Sequence, residues 1–206
     1  MQCGPTRYTA AQSASAPHDL EVMPHSLGRA IDLPEGAGIQ DVFRHLANDS
    51  ERTNSIADAV QGAFDQGRKI LVLTERTEHL EAVASALLGK VPSFCILHGR
   101  MSKKQRAKSI KELDDLAPTA ARVLLATGKL VGEGFDHPPL DTLVLAMPIS
   151  WKGTLQQYAG RLHREHATKT NVRIVDFVDT GHPALLRMWD KRQRGYRAMG
   201  YRIAEP

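Results

Sequence analysis

Cysteine is nearly absent from this chain of 206 residues, with Cys3 and Cys95 as the whole supply and no CxxC between them. Nothing in that supply suggests a disulfide framework, so a reducing cytoplasm is the expected setting. Long apolar runs are missing as well. None reaches the ~18 residues of a membrane span, and residues 1–16 lack the charged-then-apolar order of a secretory signal. A soluble, unsecreted protein without membrane contact is therefore expected. Metal ligands are also sparse in useful spacing, because His163 and His166 have no cysteine or third spaced ligand nearby, and no metal site is expected.

Charge of one sign is not strongly in excess. The 27 Lys and Arg stand against 23 Asp and Glu, and a net +4 is too small to identify a nucleic-acid partner. Its placement says more, since residues 182–206 hold six basic side chains (Arg187, Lys191, Arg192, Arg194, Arg197, Arg202) against Asp190 and Glu205. Residues 1–49 lack a sustained apolar period and carry Pro5, Pro17, Pro24 and Pro34. They read as an arm or linker.

From Asn54 onward the pattern is regular. Ile56, Ala59, Val60, Ala63 and Phe64 mark one helical face that Gly67 ends, and the run KILVLT at 69–74 has the unbroken apolar character of a strand covered on both faces. Leu80, Val83, Ala84, Leu87 and Leu88 form the next helical stripe. Further strands are expected at 93–97, 122–126, 142–146 and 172–178. Between them lie a helix capped by Ser102 with Gln105 at the capping-box position, a glycine-containing loop at 127–136, and a helix carrying residues 157–164. A final basic helix starts near Pro183. Five strands alternating with helices predict a three-layer α/β/α sandwich with a mainly parallel sheet, whose ligands meet the carboxyl ends of the strands.

The densest chemistry lies in QYAGRLHR at 157–164. Arg161 and Arg164 stand three apart, so their guanidinium forks share a helix face and suit a polyphosphate, while Gly160 leaves room for close approach. Two such arginines alone also suit a solvated basic helix end.

Four segments in order decide between those readings. ILVLT at 70–74 resembles motif IV of superfamily 2 helicases and translocases. His98, Gly99 and Arg100, with Gln105 and Arg106, resemble motif IVa; residues 126–136 resemble motif V; and residues 157–164 fit Q-x-x-G-R-x-x-R, motif VI. The chain thus resembles the C-terminal RecA-like lobe of a DEAD/DEAH-type helicase over residues 69–179.

That resemblance implies ATP with Mg2+ bound between two lobes, with Arg164 as the finger nearest the γ-phosphate, Arg161 beside it, and Gln157 positioning the motif or the water. Gly134 and Asp136 would meet the nucleotide, Asp136 through the ribose hydroxyls, although Asp136 also suits a turn cap before Pro138. Thr74, Arg76, His98, Gly99, Arg100, Thr127 and Gly128 would grip nucleic-acid phosphates. Family members often have an acidic or hydroxyl residue where Gly128 stands. No phosphate loop ending in Gly-Lys-Ser/Thr occurs, so the first lobe is expected in cis or in trans, with residues 1–49 at the seam, 50–180 as the lobe and 181–206 as a helix packed on it. Residues 133–136 and 73–81 look closer to DNA translocases than to RNA helicases. The alternative is a non-catalytic nucleic-acid-binding or regulatory module that keeps the lobe fold.

Overall fold

The computed structural model describes residues 19–31, 33–34, 36–128, 135–149, 154–164, 166 and 169–205. Seven strands form one sheet: β1 (Asp19–Leu27), β2 (Lys69–Thr74), β3 (Cys95–Leu97), β4 (Arg122–Thr127), β5 (Thr142–Leu145), β6 (Asn171–Asp179) and β7 (Arg202–Ile203). Their order is β3-β4-β2-β5-β6-β1-β7, and every pairing is parallel. Among the described residues the helices are α1 (Ile39–Asn48), α2 (Ser50–Asp65), α3 (Thr77–Leu87), α4 (Lys103–Asp114), α5 (Thr154–Leu162) and α6 (Pro183–Ala198).

Alternation along the central strands divides the core into two layers. Ile70, Val72, Val123, Leu125 and Val144 face α2 and α3, whereas Leu71, Leu73, Leu124, Ala126, Leu143 and Leu145 face α4, α5 and α6. The expected three-layer sandwich is therefore present. Local signals act as read. Ser102 Oγ accepts from Gln105 N at 3.2 Å while Gln105 Oε1 accepts from Ser102 N at 2.9 Å, and Gly67 ends α2 with φ of 77°.

Residues 19–48 differ from the expected arm, and the sheet has seven strands rather than five. β1 pairs along its whole length with β6, from Asp19 beside Asn171 to Leu27 beside Asp179, and α1 buries Val42 and Leu46. The strand escapes a search for apolar runs because its DLEVMPHSL has one fully buried aliphatic residue, Val22, and contains Pro24. The proline is tolerated because of where its nitrogen points. Val22 O accepts from Ala204 N at 2.8 Å, so even-numbered residues of β1 turn their peptide groups toward β7. The next rung on that side would need an N–H from residue 24. Pro24 has none, and the ladder with β7 stops there.

Two buried ion pairs lie on β6. Asp176 accepts from Arg192 Nε at 2.7 Å and Nη2 at 3.0 Å, and from the Tyr196 hydroxyl at 2.7 Å, joining the strand to α6. Asp179 accepts from Arg52 Nε at 2.9 Å and Nη2 at 3.1 Å, joining it to α2 on the other face. Arg192 is 1% exposed, so one of the six basic residues at 182–206 is turned into the core. Its guanidinium is satisfied internally. Asp176→Ala would leave that guanidinium buried without its counter-charge, and is expected to lower unfolding free energy by about 3–5 kcal/mol in urea titration, with a smaller loss when combined with Arg192→Met.

Candidate functional site

A parallel sheet sends the carboxyl ends of all its strands to one rim. Thr74, Arg76, His98, Gly99, Arg100, Thr127 and Gly128 gather there, at or just beyond the ends of β2, β3 and β4. Their exposure differs sharply. Arg100 and Glu78 form a 3.3 Å pair with both side chains about 70% exposed, and Arg76 Nη2 donates to Gln40 Oε1 at 3.1 Å. His98 Nδ1 accepts from the Arg100 amide at 3.3 Å, and Gly99 is exposed.

Thr74 and Thr127 are buried instead. The Thr74 hydroxyl lies 3.0 Å from His79 Nδ1, so it is occupied within the fold. His79 is itself 1% exposed, and burial, with the Arg52 charge second, pulls its pKa down to about 4. Its Nε2 has no hydrogen-bond partner.

Gly128 is also buried, and the reason is steric. A Cβ on it would collide with the Glu75 carboxylate and the Tyr158 hydroxyl, which close over the backbone from β2 and α5. Desolvation raises the pKa of Glu75, although the residue as a whole is exposed, and desolvation with the Glu75 charge pushes Tyr158 up to about 12. Glu75 and Tyr158 escaped the reading of the sequence because only the folded chain brings residues 75, 128 and 158 together. The contact leaves a glycine the best fit at this position.

The arginines lie elsewhere. α5 begins on the rim and runs antiparallel to the strands, as a right-handed crossover requires, so its nine residues carry the far end about 13 Å away. Gln157, Gly160 and Arg161 lie on its less buried side and Arg164 is exposed just beyond its end, while Leu155, Tyr158, Ala159 and Leu162 are buried. A Cβ at Gly160 would meet nothing, so the backbone there is open. Arg161 Nη1 donates to Phe135 O, and Arg164 Nη1 stands 2.7 Å from Asp136 Oδ2. Motifs V and VI are thereby joined. Gly134 falls outside the described residues, as do Ser150 and Trp151.

At the end of α5, Lys169 Nζ donates to Leu162 O and to Arg164 O, both at 2.8 Å, and His163 Nε2 lies 2.7 Å from the Tyr201 hydroxyl. No spacing in the sequence marked Lys169.

The helicase conserved C-terminal domain profile matches residues 52–166, more than half of the chain. The chain belongs to this family. It is a C-terminal RecA-like lobe of the superfamily 2 type. Among curated relatives it is 24% identical over 180 residues to the probable helicase D10 of Escherichia phage T5, covering 87% of this chain and 38% of that protein. It is 30% identical over 137 residues to the transcript termination protein A18 of fowlpox virus, covering 66% and 29%. The chain thus spans roughly a third of these relatives. Solved structures with the same fold include T4 UvsW, with a TM-score of 0.69 and 17% identity over 90% of this chain and 40% of that one. Another is S. cerevisiae Dbp5 bound to RNA and ADP BeF3, with a TM-score of 0.61, 11% identity, and coverage of 92% and 42%.

Two outcomes follow from the rim. Gly128→Ala is expected to cost about 1–3 kcal/mol in denaturant unfolding, and Tyr158→Phe in the same chain to restore part of it, because one of the two colliding atoms is gone. His79 is neutral when folded, so its contribution is complete above its unfolded pKa of about 6.5 and falls away as pH drops toward about 4. Unfolding free energy should therefore decline between pH 6.5 and 4, by up to roughly 3 kcal/mol from this group, and the decline should flatten in His79→Leu.

Proposed function

We propose that this chain is the second lobe of an ATP-dependent helicase or translocase, completing an ATP site whose phosphate loop belongs to a first lobe. The observation that carries the proposal is the junction of motifs V and VI: Arg161 on Phe135 O, Arg164 on Asp136, and the open backbone of Gly160 on the same helix. Two permanently charged forks beside bare backbone fit the oxygens of a polyphosphate. ATP supplies the transferable phosphoryl group, and its Mg2+ takes its ligands from the other lobe.

In this reading Arg164 neutralises charge that develops on the γ-phosphate, Arg161 holds the adjoining oxygens, and Gln157 stands exposed on the same face to orient the motif or the water. Asp136 accepts from the ribose hydroxyls once Arg164 turns to phosphate. The exchange is easy. Arg164 and Asp136 are 55% and 34% exposed, and such pairs stabilise by at most about 1 kcal/mol.

Nucleic acid would lie along the rim, against Arg76, His98, Gly99 and Arg100, with Thr74, Thr127 and Gly128 shaping the backbone beneath. Such contacts read phosphate rather than sequence. We take DNA as the substrate on the resemblance of residues 73–81 and 133–136 to DNA translocases.

The test joins the chain to a matching phosphate-loop lobe and measures nucleic-acid-stimulated ATPase. Arg164→Ala should lower kcat by about 10³ without loss of folding. Full activity in that variant rejects the finger assignment, and absence of any stimulated turnover in the joined lobes favours a binding module. Arg76→Ala and Arg100→Ala should each weaken nucleic-acid binding and reduce its log–log salt slope by about one.

A further inference from the structure

Arg164 lies two residues beyond the last residue of α5, where the helical ladder no longer fixes the backbone. Its amide donates to Arg161 O over a long 3.4 Å, and the final carbonyls of the helix have no partners farther along the helix. A long side chain attached at such a frayed end would sweep a wide volume. Something must hold the end for the guanidinium to meet a reacting group.

Lys169 is placed to do so. Its ammonium bridges Leu162 O and Arg164 O at 2.8 Å each, and its own amide donates to His166 O at 2.9 Å, so Leu162, Arg164 and His166 are all tied to Lys169. A cation at this position also complements the negative end of the helix dipole. We propose that Lys169 is a positioning residue for Arg164, clamping the end of α5 so that the guanidinium stays at the motif V loop. This rests on the reading of Arg164 as the phosphate-binding finger. Lys169 itself need not touch nucleotide.

The charges around the clamp set its working range. Asp136 and Asp141 favour the ammonium, while Lys69 and burial oppose it, and burial is the largest effect, bringing the Lys169 pKa down to about 8. Lys169 in turn helps lower the pKa of His163, whose larger cause is burial; Arg164 and His166 stand on the same turn. As pH rises through about 8 the clamp changes from ammonium to amine and its hydrogen bonds lose their charge assistance. Arginine at the same place stays charged.

Two measurements separate the clamp from the finger. In this chain, hydrogen exchange at the His163 and Arg164 amides should quicken by about tenfold in Lys169→Met and less in Lys169→Arg, with exchange in β2 and β4 unchanged. Equal exchange in all three chains overturns the clamp. In the chain joined to a phosphate-loop lobe, Lys169→Met should lower kcat by about tenfold while KM for ATP holds, as loss of a contact made in the transition state does. The wild-type rate should show an alkaline fall near pH 8 that Lys169→Arg removes while retaining activity. A KM effect alone, or the same alkaline fall in Lys169→Arg, also overturns it. Arg164→Ala in the same assay reports on the finger independently: full activity there rejects the finger and leaves the exchange result to judge the clamp.

Discussion

The structure depends most on two buried carboxylates on one strand. Asp176 and Asp179 differ by three residues on β6, so they face opposite sides of the sheet, and each takes a bidentate arginine from a different helical layer. The two arginines then converge. Arg52 Nη1 donates to Ala146 O at 2.6 Å and Arg192 Nη1 to Ile149 O at 3.5 Å, so the segment leaving β5 is gripped from both faces. That segment leads into α5. Buried charge thus holds the segment that follows β5, and pairing the guanidinium nitrogens is what makes such burial tolerable.

From that start, geometry separates two surfaces. Parallel strands put the motif IV, IVa and early motif V residues on one rim, and the antiparallel run of α5 carries Arg161 and Arg164 to the other end of the helix. Motif V spans both. Near its start, Gly128 is roofed by Glu75 and Tyr158 at the rim, and at its end Phe135 and Asp136 meet the arginines. One short segment therefore joins the rim to the arginines at the far end of α5. A displacement at either end has a covalent route to the other.

Much of this was legible in the residues. The runs at 69–74 and 122–126 read as strands and are buried on both faces, and the capping box at Ser102 formed as its spacing predicted. The first strand was hidden because a strand near the sheet's edge needs few aliphatic side chains, and Pro24 reads as a breaker until the direction of its nitrogen is known. The burial of Arg192 was hidden for the same kind of reason. A basic residue within a basic helix gives no local sign that a carboxylate waits for it across the core.

The sequence by itself determined the α/β alternation, the family, and the pairing of glycine and arginine in QYAGRLHR, because those follow from periodicity and the order of short motifs along one chain. Only the tertiary structure decided that the Thr74 hydroxyl pairs with His79, that Gly128 lies beneath Glu75 and Tyr158, and that Lys169 bonds to the end of α5. Each of these is a contact between residues on different elements or across an irregular loop. Their energies come from burial and distance in three dimensions, and no one-dimensional pattern carries those quantities.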